Sequence, residues 1–242
     1  MAKKLFILAG PNGSGKSTLY RKLIGKYKAL SKLPFVNPDD IAKEIFGDFL
    51  PNGSKESNQK MLHAGKESIK RRKQFLAEGI SFGLETTFSG NSEKQLIDDA
   101  IEKGYDLYIV YIALSDPLLN VQRVRARVQN KGHFVDPAIV VRRYYKSMQQ
   151  IIEAAPKAKA LYLFDNSQTH YKRIASLRKS GARGEQNIIL NTPLPQWSKE
   201  VINNLINQKI PNDETAQVIK EARESKNMTK ISLDELKKEV GA

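Results

Sequence analysis

Two rhythms alternate along this chain. Short apolar runs of strand length recur at KLFILA (4–9), LPFV (33–36, ending at Asn37–Pro38), ISFGLETTF (80–88), YDLYIVYIAL (105–114) and ALYLFDNS (160–167). Between them lie stretches whose apolar residues return every three to four positions, the spacing of an amphipathic helix. This predicts helices over 17–28, from about Ile41, over 58–78, over 93–103 closed by Gly104, over 117–130 and over 138–155. Asp39 or Asp40 is the expected cap of the second of these, and Pro117 suits the first turn of the fifth. YDLYIVYIAL is the most β-prone segment and is expected at the centre of the sheet. ALYLFDNS is expected to be its last clear strand, followed by a hairpin over 171–191 and a helix after Pro195. Strand–helix alternation of this kind predicts an α/β fold, a parallel sheet with helices on both faces.

After about Ile210 the pattern changes. The remaining residues are polar, helix-prone and poor in aromatics, so a division into a globular unit, 1–209, and a C-terminal helical appendage, 210–242, is expected.

Composition narrows the classes. The 242 residues contain no cysteine, which removes disulfide frameworks, thiolate nucleophiles and zinc–thiolate sites. The opening MAKKLFILAG is basic then apolar, but its apolar part is too short for a secretory h-region and leads straight into a glycine-rich stretch. No later segment approaches membrane-span length. The reading is a cytoplasmic protein with no membrane partner. The formal net charge of +14 suits either nucleic acid or a site that handles several phosphates. No zinc finger, aromatic RNA-binding motif or basic heptad accompanies it, and Arg123, Arg125, Arg127, Arg142 and Arg143 cluster in mid-chain. A phosphate-handling site is therefore favoured over nucleic acid.

The chemistry concentrates in Gly10-Pro11-Asn12-Gly13-Ser14-Gly15-Lys16-Ser17, followed by Thr18. It matches G-x4-G-K-[ST] between an expected strand and helix. Glycines at positive φ let successive backbone N–H groups turn inward around phosphate oxygens, and the helix N-terminus adds partial positive charge. Lys16 can reach the β- and γ-phosphates, and the Ser17 hydroxyl can ligate Mg²⁺. The stretch is expected to hold a nucleoside triphosphate, ATP or GTP, in a P-loop NTPase-type fold. An ABC-type signature is missing, FSGNSEKQ being a poor imitation, and Asn130-Lys131-Gly132-His133 lacks the aspartate of a GTPase motif. A kinase remains, which needs an acceptor-binding carboxylate and an arginine-bearing lid.

Asp39, just past the second strand, can accept the proton of an attacking hydroxyl or cap its helix. Glu85, at the end of the third strand with Thr86 and Thr87, can bind acceptor hydroxyls or a Mg²⁺-bound water. Arg123 and Arg127 share a helix face, and guanidinium groups match the charge that spreads over a transferring phosphoryl group. Of the adjacent Arg142 and Arg143, one at most is expected to face the site. His133 is read as a loop hydrogen-bonding residue.

AGPNGSGKST, FVNPDDIA, FGLETTFSG and RVRARV…KGHFVDPAIVVRRYYKSM, in that order, resemble the zeta-toxin family of P-loop kinases, in its compact Gram-negative form, over about residues 1–170. The resemblance implies transfer of the ATP γ-phosphate to a sugar hydroxyl of UDP-N-acetylglucosamine, a Mg²⁺ requirement and an antitoxin partner. It implies Lys16 and Ser17 for phosphates and metal, Asp39 as catalytic base, Glu85 and Thr87 on the UDP-sugar, and Arg123, then Arg127 and Arg142, on phosphates. Asn37 stands where Gram-positive members carry an acidic residue. Readings from other classes are a kinase of a nucleic-acid end or another metabolite, and a regulatory module that only binds nucleotide. The tail, with Pro211-Asn212-Asp213-Glu214-Thr215 and Ser232-Leu233-Asp234-Glu235-Leu236 each before a helix, is similar to the C-terminal segments of antitoxins of RelE-type toxins. That implies a partner-binding or self-restraining role.

Overall fold

The strand β1 (Lys3–Ala9) is apolar on both sides because it lies in mid-sheet: Leu5, Ile7 and Ala9 face one layer, Phe6 and Leu8 the other. The computed structural model describes residues 2–47, 53–129, 134–180 and 185–207. Within them, β1 is followed by α1 (Lys16–Lys26), a short α2 (Lys28–Ser31), β2 (Phe35–Val36), α3 (Pro38–Phe46), α4 (Lys55–Glu78), β3 (Phe82–Thr86) and α5 (Asn91–Glu102). Then come β4 (Tyr105–Ala113), α6 (Pro117–Gln129), α7 (Pro137–Ala154), β5 (Ala160–Asp165), β6 (Lys172–Ser180), β7 (Glu185–Leu190) and α8 (Gln196–Asn207).

The sheet order is β2-β3-β1-β4-β5-β6-β7. The first five strands are parallel, so all their carboxyl ends open on one edge. The hairpin expected after ALYLFDNS forms, and it is itself part of the sheet. β6 pairs antiparallel to β5, and β7 to β6, so ALYLFDNS is not the last strand. Ile174, Ala175 and Leu177 in β6, where an irregularity in the pairing lets two consecutive residues turn inward, and Ile188 in β7 join the main core, which is the reason the hairpin is drawn into the sheet.

The two faces are unequal. The main core, under α4, α5, α7 and α8, includes Leu5, Ile7, Phe82, Ile109, Tyr111 and Trp197. The other face carries α1 over a smaller cluster of Leu8, Leu19, Val110 and Ile112. A third cluster, Val121, Val124, Val135 and Val140, ties α6 to α7 and holds the two arginine-bearing helices together. Among the described residues, no helix is long and apolar enough to cross a membrane. The appendage over 210–242 and His133 lie outside the described residues.

Candidate functional site

The P-loop fills the turn between β1 and α1, at the carboxyl edge of the central strands. Two glycines there are obligatory for physical reasons. At Gly10 (φ +147) a Cβ would lie 2.1 Å from the Ile112 carbonyl oxygen of β4. At Gly15 (φ +95) it would meet Asn166 Nδ2 at 2.5 Å and the Tyr171 hydroxyl at 2.7 Å.

Those neighbours are struts. Asn166 Nδ2 donates to the Ser14 carbonyl at 2.9 Å, the Tyr171 hydroxyl donates to the Gly15 carbonyl at 2.8 Å, and Asn120 Nδ2 donates to the Asn12 carbonyl at 2.6 Å. Three side chains from α6 and from the segment after β5 therefore hold the loop from outside. Their chemistry carries no motif: an Asn or Tyr hundreds of ångströms of chain away leaves no local signal, so sequence reasoning passed over all three.

Lys16 is buried, and its ammonium donates to the carbonyls of Gly10 at 2.8 Å and Pro11 at 3.1 Å. Burial lowers its pKa; the fields of Glu85 and Asp39 raise it, and those of Arg127 and Arg143 lower it. Glu85, Asp39, Arg127 and Arg143 therefore all act on one ammonium. Ser17 Oγ donates to Glu85 Oε1 at 3.0 Å, and Asn37 Nδ2 donates to Glu85 Oε2 at 3.4 Å. Glu85 is next to Leu8 in the β1–β3 register, one residue short of the pairing between Ala9 and Thr86, which brings it level with the loop. Burial raises the Glu85 carboxyl, Lys16 and the Ser17 hydroxyl lower it, and Asp39 and Asp40 raise it further.

The cap of α3 differs from expectation. Asn37 Oδ1 accepts the Asp39 N–H at 2.9 Å and Pro38 occupies the first turn, so the helix begins earlier and Asn37 is its cap. Asp39 and Asp40 stand exposed in the first turn with their carboxylates released from capping. Partial burial and the neighbouring Asp39 raise the Asp40 carboxyl.

Three residues of the candidate set are placed differently from expectation. Thr86 is buried; its hydroxyl donates to Glu93 Oε1 at 3.0 Å and accepts the Phe88 N–H at 3.0 Å, so it faces the interior rather than an acceptor. Arg142 is exposed, whereas Arg143 Nη1 donates to Asn12 Oδ1 of the P-loop at 3.2 Å. On a helix, adjacent residues point about 100° apart, and the buried positions of α7, Val140, Tyr144 and Ser147, put Arg143 on the side toward the loop. Arg123 Nη2 reaches the Ser167 carbonyl at 3.5 Å, at the rim beside Tyr171. It is Arg127, exposed at the next turn of α6, whose field reaches Lys16. The Thr87 hydroxyl shares a 2.9 Å hydrogen bond with Ser89, and the following Phe88 is buried at φ +54, a strained bend that ends β3.

Behind Glu85 lies a buried ion pair that the sequence did not announce. Arg72 of α4 and Glu93 of α5 meet at 3.4 Å; Arg72 Nη2 donates to Ser68 Oγ at 2.7 Å, and Ser92 Oγ donates to Glu93 Oε2 at 3.1 Å. Through Thr86 this pair fixes the end of β3.

The site lies at the carboxyl edge of the sheet, where the cations Arg127 and Arg143 and the carboxylates Asp39 and Glu85 all act on Lys16, with Asp40 beside Asp39. Among the described residues no cluster of three His, Cys, Asp or Glu could hold a metal. The oxygen donors at Ser17 and Glu85 fit Mg²⁺, which takes one or two protein oxygens and completes its shell with phosphates and water.

This geometry, on a mostly parallel sheet, defines a P-loop kinase-like fold with a nucleotide-binding loop. Over residues 5–151 the chain matches the family described as AAA domain, and it belongs to that family. A relative from Haemophilus influenzae, bearing the name "Uncharacterized protein", is 31% identical over 146 residues, which are 60% of this chain and 94% of the relative. A crystal structure of AvrRxo1-ORF1:-ORF2 with ATP superposes with a TM-score of 0.57 at 17% identity, over 88% of this chain and 66% of that one. A weaker likeness, TM-score 0.48 at 12% identity over 73% of this chain and 71% of that one, is to a structure of the PezAT toxin–antitoxin system of Streptococcus pneumoniae. At these identities the likeness is one of fold.

Proposed function

We propose that the protein transfers the γ-phosphate of ATP to a hydroxyl of a UDP-sugar, UDP-N-acetylglucosamine or a close relative, as the toxin of a toxin–antitoxin pair. The observation that supports the transfer is the Ser17–Glu85 hydrogen bond beside the buried Lys16, on which the fields of both Glu85 and Asp39 act. The ordered motifs that resemble zeta toxins carry the acceptor. The AvrRxo1-ORF1:-ORF2 structure, with its bound ATP and second chain, supports an ATP site and a protein partner.

The P-loop N–H groups and the α1 N-terminus hold the triphosphate. The Lys16 ammonium exchanges the Gly10 and Pro11 carbonyls for phosphate oxygens. Ser17 and Glu85 would hold Mg²⁺, which would supply neutralisation of the phosphate charge. Asp39 orients the acceptor hydroxyl and takes its proton as the oxygen attacks the γ-phosphorus, and ADP leaves. Arg127 and Arg143 steady the charge on the phosphoryl oxygens.

Incubation of the purified protein with Mg-ATP, or Mg-GTP, and a panel of UDP-sugars, read by mass spectrometry, tests this. A gain of one phosphate on a UDP-N-acetylhexosamine is the expected result. Asp39→Asn should slow transfer by about 10²–10⁴-fold while leaving ATP binding intact. Indifference to Asp39→Asn would instead favour a regulatory nucleotide-binding module. A 5′-hydroxyl oligonucleotide belongs in the same panel, since the net charge of +14 suits that acceptor; its phosphorylation in place of the sugars would replace the reading.

A further inference from the structure

The basic run of α4, Lys70-Arg71-Arg72-Lys73, divides in the folded protein. Arg71 turns to Glu44 of α3, with contacts of 2.7 and 2.8 Å, and Arg72 turns inward to Glu93. On the flank, Lys60 pairs with Glu56 at 2.7 Å. The outward face keeps Lys55, Lys66, Lys70 and Lys73, all exposed, and no acidic residue lies among them along that face. Lys70 alone has a carboxylate nearby, Glu67 at 3.9 Å on the flank. Like charges three and four residues apart on a helix repel, so this face is mildly unfavourable without a counter-charge.

Two large apolar side chains sit in the same stripe. Leu62 is 62% exposed and Ile69 38%. Leu62, Lys66, Ile69 and Lys73 follow one another by four, three and four residues, the seam spacing of a coiled coil. A solvated face has no use for that alternation.

We propose that the outer face of α4 docks an acidic amphipathic helix of a partner protein. Its apolar stripe would cover Leu62 and Ile69, and its carboxylates would lie against Lys55, Lys66, Lys70 and Lys73. Charge complementarity selects this occupant. An oligonucleotide would answer the lysines and leave Leu62 and Ile69 uncovered, and a membrane surface calls for a broad apolar face with aromatics that this stripe lacks. The inward side of α4 carries Arg72, whose partner Glu93 also accepts from Thr86 at the end of β3, so the proposed docking face and the site share this helix. The docking surface stands apart from the phosphotransferase reading and does not need it.

The test uses the full chain and a fluorescein-labelled synthetic peptide about three heptads long, with leucine at its seam positions and glutamate flanking them. A control of identical composition has its leucines scattered. Anisotropy titration should show the amphipathic peptide binding more tightly than the control by on the order of tenfold, with Leu62→Glu and the pair Lys66→Glu/Lys73→Glu each removing that advantage. Acetylation of Lys66 and Lys73 by a lysine-reactive reagent should fall when the peptide is bound. Leu62 is exposed, so Leu62→Glu should melt like the parent; Leu62→Ala is the milder second variant. Equal binding of the two peptides, an unaltered titration with Leu62→Glu, or unchanged acetylation would overturn the proposal. Capture by phosphatidylserine vesicles that Leu62→Glu abolishes, with no preference between the peptides, would replace it with a membrane surface.

Discussion

The two sides of the proposed active site, one for the phosphate donor and one for the acceptor, are built on opposite plans. The donor side is over-determined: Asn120, Asn166, Tyr171 and Arg143 reach the P-loop from three other parts of the chain, and Lys16 is buried against its own loop. The acceptor side rests on β2, two residues long at the sheet edge, and on α3, whose Asp39 and Asp40 stand in solvent. A triphosphate has one shape, so a loop that grips it can be rigid. An acceptor is recognised by side chains that project from an edge, where few neighbours restrict them. The difference teaches that rigidity lies where the ligand is invariant, and that on the open side the burden falls on a single buried pair behind β3.

The sharpest way to break this comparison is at that pair. Glu93→Ala leaves Arg72 as an uncompensated buried charge and should cost about 3–5 kcal/mol of stability in urea titration, with most of it recovered in Glu93→Gln/Arg72→Met. If Glu93→Ala melts like the parent, the acceptor side is not held from behind. Next in size, Arg143→Ala should lower phosphoryl transfer by about 10²–10³-fold, whereas Arg142→Ala should leave it near the parent value. Steady-state kinetics of the two neighbours would show whether the contact with Asn12 marks the working arginine, and the reverse ranking would contradict it.

The smallest effect sharpens the contrast in charge. The Glu85 carboxyl is raised, by burial first, so its ionised form opposes folding. A raised folded-state value means that stability is greatest below the ordinary glutamate range and declines as pH climbs through the raised value. Glu85→Gln should therefore melt higher than the parent at pH 7–8, by about 2–4 °C for each kcal/mol released, and the gap should narrow as pH falls through and below the ordinary glutamate range of about 4.3. A gap that persists undiminished well below the ordinary glutamate range would point to packing rather than charge. Loss of transfer alongside the higher melting point would show an active site held at the expense of stability.

Sequence reasoning served the donor side well because a P-loop is local. Eight consecutive residues determine where the backbone turns and where its N–H groups point. The strands and helices were legible for the same reason, apolar spacing being a near-neighbour property. It was less successful wherever a second contact chose between equals. Arg142 and Arg143 are the same residue type one position apart, and only the packing of Val140, Tyr144 and Ser147 decides which meets the loop. Thr86 and Thr87 look alike beside Glu85, yet Glu93 claims the first. Asn37 reads as a lost acid, and becomes both the cap of α3 and a partner of Glu85.

By itself, then, the amino-acid order determined an α/β sheet, its strand-by-strand helices and a phosphate-gripping turn, since each depends on residues within a few positions of one another. Only the folded arrangement decided that β6 and β7 extend the sheet and that Asn120, Asn166 and Tyr171 brace the loop. It also decided that two carboxylates and two arginines converge on Lys16. Those pairings join residues far apart in the chain, and their free energy exists only once the core has brought them together.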